Sequence, residues 1–455
     1  MKVNTSILNL AVTLLEHGAR AFIVGGYIRD HFLGLESKDI DIEVYGISSL
    51  DVLKEALEDL APVHEVGKSF GVLKISLDGF DIDIALPRTE VKTGKGHKGF
   101  HVQTNGHLDY TSAAKRRDFT MNTIGYDIKT DFFLDPYDGR KDIEEGIIRH
   151  VDDDSFVEDP LRVLRAVQFA ARFNFKLEAN TLKLCQNMVK DKMLEELPKE
   201  RIYEEYKKLL LKANKPSIGF ELLDELNALY PELKALQGVE QDKAYHPEGD
   251  VWTHTMMSID AMSELKTGDD KKDIVLLLAT LCHDLGKVKA SKKIEGKISA
   301  IGHENILEPT ISLINRLSDE KALLHDITPL IKEHLIPSQL YKQKAKDPAI
   351  RRLSTRVNIQ DLIILTKADH FGRTTSEAKE RKYPAGDWLL KKAQTLKVEN
   401  EKPEPILLGR HLISEGMKPG LEFKLILKEA YEEQLEGSIK DEKTAVSWLK
   451  SYLKP

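Results

Sequence analysis

The chain runs to 455 residues, 41% of them hydrophobic and 31% charged, with a formal net charge of −7. That length accommodates about three domains with separate cores, and the composition excludes a disordered chain. The acidic balance excludes nucleic-acid binding by bulk charge, so any RNA contact must come from a local basic surface. Cys185 and Cys282 are far apart and have no further cysteines to join, which excludes a disulfide framework or a cysteine zinc site and fits a reducing compartment.

Asn9, Glu16 and His17 break the N-terminal apolar stretch, so no signal peptide is expected. The longest apolar run, 274–282, is about half of a membrane span. The expectation is a cytoplasmic protein without membrane association.

Apolar periodicity predicts a helix ending at Glu16, a buried strand at 21–24, a tight turn at Gly25-Gly26 and a helix opening at Tyr27. This layout aims backbone N–H groups at a phosphate. The next strand, 40–45, carries Asp39 and Asp41 at its start. Residues i and i+2 of a strand share a face about 6.6 Å apart, so both carboxylates can hold hard cations about 4 Å apart. Such a pair activates an attacking hydroxyl and steadies a leaving pyrophosphate. A helix at 50–60 and strands at 72–77, 80–85 and 124–128 complete an α/β head. Residues 88–100 are rich in Gly and Lys and read as a mobile loop. Lys115-Arg116-Arg117-Asp118-Phe119-Thr120-Met121-Asn122 then precedes the last strand. Its guanidinium pair matches phosphate oxygens, and Asp118 and Asn122 suit a ribose hydroxyl.

From Asp159 the period becomes helical, at 159–173, 179–190, 198–212 and 216–228, which sets a domain boundary near 145–155. In Glu158-Asp159-Pro160-Leu161-Arg162-Val163-Leu164-Arg165, Pro160 suits the first helical position and Asp159 the cap. Asp159 and Arg162 also share a face, an acceptor beside a donor. Cytosine and adenine show an amino donor next to a ring acceptor, and uracil and guanine the reverse, so this pair accepts C and A and rejects U and G. Lys207, Lys208, Lys212 and Lys215 form either a solvated face or a track for an RNA backbone.

A stretch with Pro and Gly at 230–249 leads to a histidine-bearing block, followed by a linker near 401–405 and a helical tail. In that block His254, His283-Asp284 and Asp369 come from separate helices. Two imidazoles and two carboxylates suit Mn2+, Fe, Co2+ or Ni2+ better than Mg2+. Lys287 is within reach of the His283-Asp284 turn, to hold a phosphate or cap the helix, and His303 and His334 are candidates for a second metal. Cys282 reads as core.

Gly25-Gly26-x-x-Arg29-Asp30, Asp39-x-Asp41, Arg116-Arg117-Asp118-Phe119-Thr120-x-Asn122, Asp135-Pro136-x-x-Gly139 and Glu158-Asp159-x-x-Arg162 resemble, in order, the motifs of class II tRNA nucleotidyltransferases, the CCA-adding enzymes. The later H, HD, D series resembles the HD phosphohydrolase signature, which points to the HD-bearing bacterial branch.

The resemblance implies an α+β, polymerase-β-like head at 1–148, a helical neck with a templating helix at 149–235, an all-α HD domain at 236–400 and a tail at 401–455. It implies template-independent addition of C, C and A to the tRNA acceptor end from CTP and ATP, by a monomer or homodimer. Asp39 and Asp41 would hold Mg2+. A third carboxylate is expected on a neighbouring strand, Asp83 with Asp81 as the alternative. Gly26, Arg29, Arg116, Asp118, Asn122 and Arg165 would bind nucleotide, and Asp159 and Arg162 would select the base. His254, His283, Asp284 and Asp369 would hold a transition metal for hydrolysis of phosphate esters, 2′,3′-cyclic phosphates included. The retained loop at 88–100 favours complete addition over a CC-adding or A-adding specialist. The remaining rivals are a bacterial poly(A) polymerase, which carries a basic C-terminal extension and no metal-binding HD set, and an inactive RNA-binding regulator.

Overall fold

The computed structural model describes residues 1, 3–66, 71–92, 100–294 and 296–454 and divides into two compact units, Met1–Leu229 and Tyr230–Pro455. The first unit begins with α1 (Thr5–Glu16), β1 (Arg20–Val24), α2 (Gly26–Phe32), β2 (Asp39–Tyr45), α3 (Leu50–Glu58), β3 (His64–Val66), β4 (Val72–Leu77) and β5 (Phe80–Ala85). β6 (Arg88–Lys92) and β7 (Phe100–Thr104) pair as a separate antiparallel ribbon, and the middle of the expected loop, 93–99, lies outside the described residues. After α4 (Tyr110–Ala114) and a 3-10 turn (Thr120–Asn122), β8 (Gly125–Asp127) and β9 (Phe132–Leu134) finish a seven-stranded sheet of order β3-β4-β5-β2-β1-β8-β9.

Side-chain alternation explains the two faces of this sheet. Ile40, Ile42 and Val44 of β2, Ile82 and Ile84 of β5, and Leu73 and Ile75 of β4 are all buried. The intervening residues of β2 and β5 are acids on the opposite face. β2 and β5 run parallel, in a register that sets Asp39 opposite Asp81 and Asp41 opposite Asp83. A one-residue slip would bury the acids and expose the isoleucines, so the pattern itself fixes the pairing.

The strands at 72–77 and 80–85 match the sequence expectation, while the helix at 50–60 stops at Glu58 and the strand at 124–128 shortens to Gly125–Asp127. β3 and β9 escape sequence reading because three residues carry too few alternations. The helical part continues through α5 (Gly139–Glu145), β10 (Ile147–Ile148), α6 (Asp153–Glu158), α7 (Leu161–Phe173), β11 (Lys176–Leu177), α8 (Ala179–Lys190), α9 (Lys199–Lys212) and α10 (Ser217–Glu225), with β10 and β11 pairing in parallel. The helix expected from 159 starts two residues later. Asp159 is extended, at φ −115° and ψ 100°, and ends α6, so Pro160 takes the capping position instead. Asp159 still accepts the Leu161 N–H at 3.1 Å.

The second unit holds α11 (Pro231–Lys234), α12 (Val251–Glu264), α13 (Asp270–Cys282), α14 (Lys287–Ala290), α15 (Glu308–Leu317), α16 (Lys321–Glu333), α17 (Ile336–Lys342), α18 (Asp347–Ser354), α19 (Ile359–Phe371), α20 (Ser376–Lys379) and α21 (Pro384–Leu396). α12 packs on α13 and α19, and α13 on α16. The all-helical expectation misses an antiparallel ribbon, β12 (Lys292–Ile294) with β13 (Lys297–Ser299), closed by Gly296 at φ 80°. The apolar run 274–282 is α13, buried almost all round as a core helix, and no helix among the described residues is long and apolar enough to cross a membrane. The tail forms α22 (Gly409–Ser414), α23 (Leu421–Glu436) and α24 (Glu442–Tyr452) around Leu412, Ile426, Ala430, Ala445 and Leu449.

Candidate functional site

Asp39 and Asp41 stand exposed on β2. Gly25, at φ 72°, is pressed against Asp41: a Cβ there would lie 3.2 Å from Asp41 Oδ2 and 3.3 Å from Arg117 Nη1. Only glycine fits both the angle and the space. Crowding by protein raises the Asp41 carboxyl above its ordinary pKa; Arg117 opposes this, and Asp83, Glu43 and Asp39 add to it. The register separates the candidates for the third acid. Asp81 is exposed and accepts the Ser76 hydroxyl at 2.9 Å, whereas Asp83 faces Asp41 across the strands, with a buried Oδ1 that has no hydrogen bond and Lys74 Nζ 3.7 Å away. Asp83 thus brings an oxygen without a hydrogen bond into register with the exposed Asp41, and carboxylate oxygens are the donors a hard divalent cation takes.

Behind the acids lies a chain of hydrogen bonds. Arg116 Nη2 and Arg117 Nη2 both donate to Glu43 Oε1, at 2.7 and 3.0 Å, and Arg117 Nη1 donates to the Asn122 carbonyl at 3.0 Å. Asn122 Nδ2 donates to Asp118 Oδ1 at 2.8 Å and Arg165 Nε to Asp118 Oδ2 at 2.7 Å. Burial would raise the Asp118 pKa, but Arg165, Asn122 and Arg162 together hold it at about 2. Arg29 is buried. It donates to Asp30 and, at 2.8 Å, to Asn122 Oδ1, and lies over the rings of Phe169 and Phe173 at 5.0 Å each. Gly26 opens α2 beside it.

Asp159 and Arg162 are both half-buried at the start of α7. Arg162 donates to the Ser155 carbonyl at 2.8 Å and the Arg116 carbonyl at 2.5 Å, and Asp159 Oδ2 accepts Arg201 Nη2 from α9 at 3.2 Å. Glu43 and Arg201 escaped the sequence reading. Glu43 was legible only as a further acid in the same alternation, and no spacing ties Arg201 to Asp159, 42 residues away. The lysine stretch divides. Lys207 and Lys208 pair with Glu204 and Glu205 one turn earlier, at 3.0 and 2.8 Å, while Lys212 and Lys215 are exposed.

In the second unit His254 (α12), His283 and Asp284 (end of α13) and Asp369 (α19) meet in the interior, all nine-tenths or more buried. His254 Nε2 lies 3.1 Å from Asp369 Oδ1 and 3.8 Å from Asp284 Oδ2, and His283 Nε2 lies 3.3 Å from Asp284 Oδ2. His303 Nε2 is 3.1 Å from Asp284 Oδ1 and 3.3 Å from His334 Nε2. Ligand atoms of His254, His283 and Asp284 fall within 4.8 Å of one another, as do those of Asp284, His303 and His334, so Asp284 belongs to two triads. His283, His303 and His334 each place Nδ1 against a backbone carbonyl, of Thr280, Ala300 and Ile331, at 2.6 to 2.7 Å. An Nδ1–H donating to the carbonyl leaves Nε2 facing inward, the ring orientation a metal requires. Burial, reinforced by His283, pushes His334 down to about 3 and keeps it neutral. Glu248, another residue absent from the sequence reading, lies 2.9 Å from Nδ1 of both His246 and His254. Lys287 is buried, 2.7 Å from Asp284 and 2.8 Å from Gln241, and Arg373 holds both oxygens of Asp369 at 3.0 and 3.1 Å. A cavity of about 800 Å3 opens onto this cluster. Cys282 is core, its thiol pushed up by burial.

Three family models match the chain: a poly A polymerase head domain at 21–149, a probable RNA and SrmB-binding site of polymerase A at 174–237, and an HD domain at 251–374. A multifunctional CCA protein of Psychromonas ingrahamii is 32% identical over 427 residues, 90% of this chain and 96% of that protein. The chain belongs to the multifunctional CCA protein family. Another CCA protein, from Laribacter hongkongensis, is 34% identical over 371 residues, 79% of this chain and 86% of its own. The Bacillus stearothermophilus CCA-adding enzyme in complex with CTP superposes with a TM-score of 0.69 at 20% identity, covering 99% of this chain and 98% of that one. The Thermotoga maritima CCA-adding enzyme complexed with tRNA gives 0.61 at 22%, covering 99% and 97%. The CCA protein fold is thus a polymerase-β-like head with a mixed sheet, a helical body and an HD domain.

Proposed function

We propose that the head adds C, C and A to tRNA 3′ ends from CTP and ATP, without a nucleic-acid template. The observation that carries this reading is the register of Asp41 opposite Asp83, beside the Gly25 turn and Arg117. Asp39, Asp41 and Asp83 would hold Mg2+, and His254, His283, Asp284 and Asp369 a transition metal such as Mn2+, Ni2+, Co2+ or Fe. When bound, such ions neutralise phosphate charge and lower the pKa of a coordinated hydroxyl or water. Arg116, its side chain 22% exposed, offers a guanidinium to the triphosphate, and Asp118 and Asn122, locked to each other, back the sugar side. Asp159 and Arg162 read the pairing edge of the incoming base, and Arg201 and the Arg116 carbonyl fix their aim. Lys212 and Lys215 offer charge to an acceptor-stem backbone.

The HD cluster serves hydrolysis of phosphate esters, 2′,3′-cyclic phosphates included, with His303 and His334 joining Asp284 as a second ligand set. Lys287 and Arg373 keep Asp284 and Asp369 ionised and bring positive charge to a phosphate in the cavity. A cytoplasmic location fits an enzyme acting on tRNA. Purified protein given tRNA trimmed of its last three nucleotides, with CTP and ATP, should restore CCA. Homopolymeric A tails would instead mark a poly(A) polymerase, and a halt after two C residues a specialist. His283→Ala should remove ester hydrolysis and leave CCA addition intact; loss of both in folded protein would contradict two separate sites.

A further inference from the structure

Alternation places Glu43 after Asp39 and Asp41 on the acid face of β2, yet the three carboxylates sit in different surroundings. Asp39 and Asp41 are exposed, whereas Glu43 is 3% exposed. Its Oε1 accepts from Arg116 and Arg117, and its Oε2 accepts the Tyr45 hydroxyl at 2.9 Å. A carboxylate with both oxygens engaged by strong donors is a poor cation ligand, so the third acid of the strand has a different role. Removing its charge would leave two neighbouring guanidiniums with less compensation in a region of restricted solvation, and they would separate.

The two arginines lead in useful directions. Arg117, its side chain 13% exposed, reaches the Gly25 turn and the Asn122 carbonyl. Arg116, 22% exposed, is more open to an incoming anion, and its own carbonyl accepts Arg162 Nη2 at 2.5 Å. Contacts therefore run unbroken from the acid strand, through Glu43 and Arg116, to the first turn of α7.

We propose that Glu43 is a positioning residue for nucleotide selection: its carboxylate fixes the Arg116–Arg117 pair and, through the Arg116 carbonyl, the aim of Arg162. This rests on the reading of Asp159 and Arg162 as the base-selecting pair.

Full-length Glu43→Gln, Glu43→Asp and Arg162→Ala proteins would be assayed for single-nucleotide addition to trimmed tRNA, with each of the four NTPs separately. Gln keeps the shape and removes the charge. It should raise KM for CTP about tenfold, change kcat less than about threefold, and lower the preference for C over U about tenfold. Glu43→Asp should recover part of the preference. Native KM and native preference in a Gln variant that melts like the parent would overturn the proposal, as would a fall in kcat alone. If the Gln variant does not fold, the Asp variant decides: its shorter side chain should shift KM and preference in the same direction, and unchanged values would overturn the proposal. Arg162→Ala separates the two readings. If it leaves base preference intact, the base-selecting assignment fails. If it abolishes preference while Glu43→Gln does not, only the role of Glu43 fails.

Discussion

Replacing Gly25 with alanine tests how tightly the turn is built against the acids. Gly25 adopts φ 72° and ψ −134°, a region that L residues avoid, so any side chain there costs roughly 1–3 kcal/mol. The new Cβ would also stand 3.2 Å from Asp41 Oδ2 and 3.3 Å from Arg117 Nη1, tighter than ordinary contact, so the acid or the guanidinium must shift by a few tenths of an ångström. For a unit the size of Met1–Leu229, that cost corresponds to a melting temperature lower by roughly 3–9 °C. With Asp41 in its proposed cation-holding role, a shift of that size should lower single-turnover CTP addition several-fold, since a full 1 Å misplacement costs about a hundredfold. Thermal melting of the head and rapid-quench addition to trimmed tRNA measure the two effects. A Gly25→Ala protein with the parental melting temperature and rate would refute the close approach of turn and acid.

Three further predictions concern other groups. Asp83→Asn should reduce nucleotide addition at least about a thousandfold and Asp81→Asn less than about threefold, because only Asp83 lies opposite Asp41; equal effects in a steady-state assay would contradict the register argument. Metal analysis by mass spectrometry should show one ion fewer per chain after either His303→Ala or His334→Ala, with the ion at the His254 triad retained; unchanged stoichiometry would exclude the second triad. Asp118, held at about 2 in the folded protein against about 3.9 unfolded, contributes stability that is present above pH 4 and lost as pH falls toward 2, about 3 kcal/mol in all. Chemical denaturation of the parent and of Asp118→Asn should therefore converge over that window, and parallel curves would contradict the assignment.

The sheet was legible because isoleucines alternate with acids on both β2 and β5, so one pattern sets the strands, their faces and their register. Local spacing likewise revealed Asp39 with Asp41 and His283 with Asp284. What stayed hidden are partnerships that the chain closes over long separations. Glu43 reads as another exposed acid until Arg116 and Arg117, 73 and 74 residues on, fold over it. The resemblance puts Arg29 among the nucleotide-binding residues, but not its surroundings: it lies over the rings of Phe169 and Phe173 of α7 and donates to Asn122. Half of the lysine stretch is paired by glutamates three residues earlier, a neutralisation that helical spacing could have revealed. The second triad depends on His303 and His334 arriving from a 3-10 turn and the end of α16, which no sequence interval predicts.

Transfer and base choice are proposed as separable functions of the head, the first resting on β2 and β5 and the second on Asp159 and Arg162 at the start of α7. Sequencing the products of Asp41→Ala, Asp159→Ala and Arg162→Ala proteins on trimmed tRNA, with all four NTPs present, tests it most directly. Asp41→Ala should give no extension at all, and the two α7 variants extension with U and G mixed among C and A. Faithful CCA ends from the α7 variants, or continued extension by Asp41→Ala, would contradict it.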